Sequence, residues 1–292
     1  MASLKEVKTR IASVNSTRKI TSAMKMVASS KLHRAQQAIE SMRPYERQLT
    51  RIMSTFVGSM EGEVDTAYAA QRDVKRVVIV LFTSNSSLCG GYNANAVKAF
   101  VKKVEEYRSR NIEVCRVYAM GKKAAEAVGK LKNFDLVDKS ALLDHPSYQE
   151  AAKVASELMD LYVKGDIDEV DLIYHHFKSA GTQILTTETF LPIDLHADST
   201  EEGATNNLNF IVEPSMGDIV NQLIPKSLHL RLYTALLDSL ASEHAARVIA
   251  MQVATDNADD LLRELTLTYN KTRQQAITNE LLDIAGGSAA QQ

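Results

Sequence analysis

From Leu230 onward, steps of alternately three and four residues reach Leu230, Tyr233, Leu237, Leu240, His244, Arg247, Met251, Ala254, Ala258, Leu261 and Leu265. Such spacing is the seam of a heptad repeat. The surrounding stretch, residues 216–284, predicts one helix on the order of 100 Å long at the usual rise, and a helix of that length needs a partner to cover its seam. Pro225 predicts a kink, since the apolar pattern resumes within a turn; the alternative is a helix that begins at Ser227. Towards the end the seam turns polar at Thr268, Thr272, Gln275 and Asn279, as expected where a helix has outrun its partner. The overhang comes to about seventeen residues if both helices start from the same place.

A second seam occupies the start of the chain. Leu4, Val7, Ile11, Val14, Ala28, Leu32, Ala35, Ile39, Met42, Leu49, Met53 and Phe56 share one face, interrupted by Arg18, Thr21, Lys25 and Glu46. The register survives Pro44, which predicts a kink there rather than a stop. More than fifty residues without an internal glycine are too many for a helix packed only on its own domain, so the two chain ends are expected to pair antiparallel. The polar seam positions should weaken that pairing locally.

Between the helices the period changes. Residues 77–83 are a continuous apolar run rich in Val and Ile, the mark of a strand buried on both faces. TSNSSLCGGYN follows at 83–93, then a helix with Ala94, Val97, Phe100, Val101, Val104 and Tyr107 along one face. Strand signals recur at 113–119, 169–177 and 183–190, and helical ones at 121–131 and 147–163. This alternation predicts an α/β fold with a small, mostly parallel, three-layer domain. A loop rich in Gly and Asn runs from 196 to 209.

Composition narrows the function. With 45% hydrophobic and 24% charged residues over 292 positions, the chain can bury a core as a soluble protein of one or two domains. A net charge of -2 gives no nucleic-acid signature. The charge is unevenly spread, however: residues 1–55 carry eleven Lys and Arg against three acids, and residues 215–292 nine acids against six bases, which suits pairing of the two ends. Cys89 and Cys115 lack CxxC spacing, which argues for a reducing compartment and plain core roles. No run reaches the roughly 18 apolar residues of a membrane span. The Lys- and Arg-rich start could be a transit peptide, but its helical pattern continues past Met42, too long for a removable tag.

No residue set presents itself as catalytic. Gly90-Gly91 lies between a strand and a helix, where backbone amides could hold a phosphate, yet neither GxGxxG nor GxxxxGK[ST] is present. A tight turn with Asn93 as helix N-cap is the preferred reading. His175 and His176 are neighbours in a strand and point to opposite faces, so they cannot share a metal there. The serines of SNSS lack the GxSxG setting of a hydrolase. Met24 and Met26 at helical spacing suit packing, or an adaptable binding surface.

Three separated segments carry a resemblance. IASVNSTRKITSAMKMVASSKL (11–32), TSNSSLCGGYN (83–93) and ASEHAARVIAMQVATDNADDLLRELTLTYNKTRQQAITNELLDIAGG (241–287) closely resemble the gamma subunit of F-type ATP synthase, in that family's order. The resemblance implies a long antiparallel coiled coil of N- and C-terminal helices plus a central Rossmann-like α/β domain, divided here as 1–57, 74–195 and 216–286. Asn85-Ser86-Ser87 stands where an Asp-Arg-Gly-like run is usual, and Val248 where Met is common. The chloroplast form's cysteine insert is missing, and the Met-Ala-Ser start looks bacterial.

What the resemblance implies is a non-catalytic rotary shaft. It would couple ion flow through the membrane rotor ring of c subunits to ATP synthesis or hydrolysis in the alpha and beta subunits, and form a foot with the epsilon subunit. It would need no cofactor or metal of its own, contact no nucleic acid, insert in no membrane, and sit peripherally on the cytoplasmic side of the bacterial membrane. Arg273, Gln274, Thr278 and Glu280 would meet the head near the tip, with Met24 and Lys25 lower down near Arg247. Phe210, Ile211 and Val212 would belong to the foot. The rival readings are a Rossmann-like nucleotide-dependent enzyme with a coiled-coil dimerisation arm, and a coiled-coil adaptor with no rotary role.

Overall fold

Strand β1 (Arg76–Phe82) has no exposed face. Val77, Ile79 and Leu81 pack towards helices α2 (Tyr92–Ser109) and α3 (Lys122–Leu131), while Val78, Val80 and Phe82 pack towards α4 (Tyr148–Val163) and α5 (Met216–Ala289). An unbroken apolar run is what a strand needs when both faces are covered. The chain is described from a computed structural model over residues 3–59, 66–70, 72–193 and 216–289; side chains at 47, 50, 53–59, 216–221, 283 and 286–289 are excepted.

Around β1 lie β2 (Glu113–Met120), β3 (Asp135–Asp138), β4 (Glu169–Ser179) and β5 (Thr182–Leu191), in the order β3-β2-β1-β4-β5. The first four are parallel, and β5 runs antiparallel to β4. Three layers result, as expected: α2 and α3, the sheet, then α4 with part of α5. That last layer draws Ile224, Leu228, Leu232 and Leu236 of α5 into the same core as Leu158 and Tyr162 of α4. β3 has no sequence signal, because four residues with only the middle two half-covered show no period. α4 opens on Ser147, whose hydroxyl accepts from the Glu150 amide at 3.3 Å, the first half of a Ser-x-x-Glu cap.

Helix α1 (Leu4–Ser59) runs unbroken through Pro44, and α5 through Pro225, so α5 does not wait for Ser227 to begin. Two compact units divide the chain. Ser30–Ala246 forms one and holds the sheet; Met1–Ser29 with Arg247–Gln292 forms the other. In the first, Leu32 and Ile39 of α1 pack with Leu237, Ala241 and Ala245 of α5, and Phe177 of β4 closes the cluster. The second is a pair of helices, with Val7, Ala28, Met251 and Ala258 buried.

Candidate functional site

The place where a parallel sheet of this kind would hold a nucleotide is the crevice beyond the carboxyl end of β1. Here protein fills it. Tyr92 opens α2, stacks on His175 at 4.4 Å and donates its hydroxyl hydrogen bond to the Ser239 carbonyl of α5 at 3.0 Å. Ser242 donates to the His175 carbonyl at 3.0 Å, fastening the same helix to β4. Burial holds His175 down to about 4, so its imidazole is neutral at pH 7.

Amides at the end of β1 and at the start of α3 are also engaged. Asn93 is not the N-cap of α2, whose first residue is Tyr92 and whose cap position is Gly91. Instead the Asn93 side chain accepts from the Ser84 amide at 2.9 Å and ties the loop to the end of β1. At the start of α3, Thr83 Oγ1 accepts from the Ala124 amide at 2.8 Å and Asn85 Oδ1 from the Lys122 amide at 3.0 Å. Asn85 also donates to the Ser140 carbonyl at 3.1 Å. Asn85, the first of the three residues that depart from the family's usual run, therefore caps a helix, a role that periodicity does not show because the helix it caps lies in a different part of the chain. Gly121 precedes that helix at φ +133°, and a Cβ there would stand 2.5 Å from the Thr83 carbonyl oxygen. Among the described residues no group of His, Cys, Asp and Glu could hold a metal.

The two-helix unit carries the other candidate surface. Arg18 donates to Asp259 at 3.0 Å, the Thr21 and Thr255 hydroxyls are 2.9 Å apart, and Lys25 donates to Gln252 at 2.7 Å. The contacts climb one helix as they descend the other, so the pair is antiparallel, as the sequence implies. Each polar interruption of the α1 seam in this unit meets a polar residue on α5, so these positions are matched layers and not gaps in the pairing.

The phase of the α5 seam needs correction. Leu261 is 43% exposed, and Leu262 takes the half-buried place. Further along, Tyr269 and Ala276 are half-buried while Thr268, Gln275 and Asn279 are exposed. The heptad itself holds, since Ala258, Leu265 and Thr272 are covered where stepping from Leu230 places them, but from Met251 on the steps run four then three instead of three then four, so every second position arrives one residue early. The covered seam is more apolar than expected, and the polar residues named on it, apart from half-buried Thr272, lie outside it.

Of the residues expected to meet partners, Arg273, Gln274, Thr278 and Glu280 are all exposed. The Thr278 hydroxyl donates back to the Gln274 carbonyl at 2.9 Å. Continued at equal rise, the antiparallel register sets Leu4, the first residue of α1, level with Arg273. Beyond it Leu281, Leu282 and Ile284 are 61%, 64% and 69% exposed. Met24 is half-buried, and Lys25 finds Gln252, a little over one turn past Arg247. Phe210, Ile211 and Val212 lie outside the described residues, as does the 196–209 loop.

A family profile described as ATP synthase matches residues 3–290. The ATP synthase gamma chain of Phocaeicola vulgatus is 56% identical over 99% of this chain and 100% of its own length. That of Bacteroides fragilis is 57% identical, again over 99% and 100%. Among solved structures, a chain of the Euglena gracilis mitochondrial ATP synthase (OSCP/F1/c-ring, rotational state 3) superposes with a TM-score of 0.65 at 21% identity, over 98% of this chain and 94% of that one. That likeness speaks to the fold, and the sequence relatives to descent: the chain belongs to the ATP synthase gamma chain family.

Proposed function

We propose that this chain is the central rotary shaft of an F-type ATP synthase, coupling ion flow through the membrane rotor to ATP synthesis or hydrolysis in the alpha/beta head. Apolar side chains bared along the far end of α5 carry this reading. Leu281, Leu282 and Ile284 sit past the reach of α1, and a helix with such residues in water calls for an apolar surround. A ring of partner subunits supplies one that the helix can turn within.

On this reading the chain is non-catalytic, and ATP and magnesium belong to the beta partner. The working parts are two shaft helices, 1–57 and 216–286, and the Rossmann-like domain at 74–195. Arg273, Gln274, Thr278 and Glu280 present polar groups to the head from an exposed helix, with Met24 and Lys25 further down. Lys25 divides its ammonium between any such partner and Gln252. Phe210, Ile211 and Val212 serve the foot with the epsilon subunit and the c ring. No described helix is long and apolar enough to cross a membrane; on this reading the chain attaches peripherally, on the cytoplasmic side.

The enzyme alternative loses its support in the filled crevice. Co-expression with alpha and beta subunits tests the proposal: the chain should copurify with them and be needed for sustained ATPase activity. An alpha/beta assembly that forms and turns over equally well without it would remove the proposal.

A further inference from the structure

Glu46 is the seam position of α1 that faces an acid. In the sheet-bearing unit, Asp238 of α5 lies with its carboxylate 2.5 Å from His176 Nδ1 of β4, and Glu46 stands across a pocket of about 160 Å³ lined also by Ile39, Met42 and Leu237. The Asp238 side chain is only 4% exposed, while the imidazole opens to solvent on its outer side. Two carboxylates in a half-apolar pocket repel unless a proton or a cation sits between them. Arg43 on α1 is exposed and offsets this weakly. From β4 the pocket also meets Tyr174; the charge of Glu188 on β5 reaches Glu46 only through space and is already engaged by Arg231 of α5 at 3.2 Å.

Helix α1 is soft at this level. Pro44 has no amide to donate, so the Glu40 carbonyl lacks its usual partner one turn away. A helix with a missing rung opens locally more readily than its neighbours. We propose that Glu46, His176 and Asp238 form a proton-operated clasp, which closes the Pro44 turn of α1 onto β4 and α5 on taking up a proton and slackens on losing it.

Burial raises the carboxyl affinity for protons at both Glu46 and Asp238; at Glu46 the charge of Asp238 adds to this, and at Asp238 the neighbouring His176 offsets part of it. An acid whose folded-state pKa lies above its unfolded one stabilises the closed form at low pH and gives up that stability as pH rises. The His175 contribution in the core has the opposite sign, so a general loosening of the fold does not imitate the clasp.

Amide hydrogen exchange on the purified full-length chain reads this directly. Protection over residues 42–49, corrected for intrinsic exchange and taken relative to helix α4, should fall several-fold between about pH 5 and about pH 8, as the raised carboxyls lose their protons. Glu46→Gln should hold the segment protected across the range, and Asp238→Asn should flatten the profile as well. A wild-type profile with no slope, or a slope that survives both substitutions, overturns the clasp.

Discussion

The hydroxyls of Thr21 and Thr255 meet at 2.9 Å across the antiparallel pair, between the Arg18–Asp259 contact on one side and Lys25–Gln252 on the other. Three polar layers in succession fix which residue faces which, because any slip would leave some of these groups against apolar neighbours. Each hydroxyl has a single hydrogen, so one threonine donates across the pair while the other donates to a carbonyl of its own helix, Thr21 to Arg18 or Thr255 to Met251. Removing both hydroxyls together therefore strands little. Thr21→Val with Thr255→Val should change unfolding free energy by no more than about 1 kcal/mol, measured by urea titration with circular dichroism. A loss several times larger would mean that the layer holds the helices together and does more than set their register.

The ion pair beside it should matter less than its geometry suggests. Arg18 and Asp259 are each about two-fifths exposed. A double-mutant cycle with Arg18→Ala and Asp259→Ala should give a coupling below about 1 kcal/mol, shrinking further with added salt.

Gly121 and Gly129 form a matched pair of tests at the two ends of α3. Gly121→Ala places a methyl 2.5 Å from the Thr83 carbonyl in a left-handed backbone and should cost at least about 2 kcal/mol. Gly129 lies inside the helix with open space around it, and Gly129→Ala should gain up to about 1 kcal/mol. Equal effects from the two would contradict the packing described.

Stability should respond to the buried His175. Its folded-state pKa of about 4 lies below the ordinary 6.5, so its contribution is complete above about pH 6.5 and is lost as pH falls towards 4. The loss amounts to at most about 3 kcal/mol. His175→Phe keeps a ring against Tyr92 and should remove that part of the acid sensitivity in unfolding titrations from about pH 7 to about pH 4.

Much of this architecture was legible in the sequence, and its misses have physical causes. The unbroken Val and Ile run of β1 announced a two-sided core, and the strands and helices after it fell where their periods placed them. Leu261 and Leu262 stand side by side, so the pattern alone could not decide which of the two the seam would bury. Asn85 and Asn93 were less readable still. Their amides serve a helix and a strand end that meet only in the fold, so no local spacing marks them. An overhang of α5 was expected from the two helix lengths, but only the register of Thr21 with Thr255 shows where α1 stops covering α5.

The full-length chain should bind no ATP, ADP or NAD at micromolar concentration in calorimetry, because Tyr92 and His175 stack in the crevice and Thr83, Asn85 and Asn93 take up the amides of Ala124, Lys122 and Ser84 around it. Micromolar binding that disappears on altering Gly90 and Gly91 would revive the enzyme alternative.

At the tip, Arg273→Ala should lower ATPase turnover or assembly several-fold, up to about tenfold, the scale of a lost charge-assisted contact, with helical content unchanged. Indifference of the reconstituted head both to that change and to ending the chain after Thr268 would remove the tip from the list of working contacts.

The shaft proposal is tested most directly by watching the chain turn. With the alpha/beta head fixed to glass and a bead attached to an exposed residue of the α/β domain, added ATP should drive stepwise rotation in one direction. A head that hydrolyses ATP at full rate while the bead stays still, with the chain shown to be bound, would contradict the proposal.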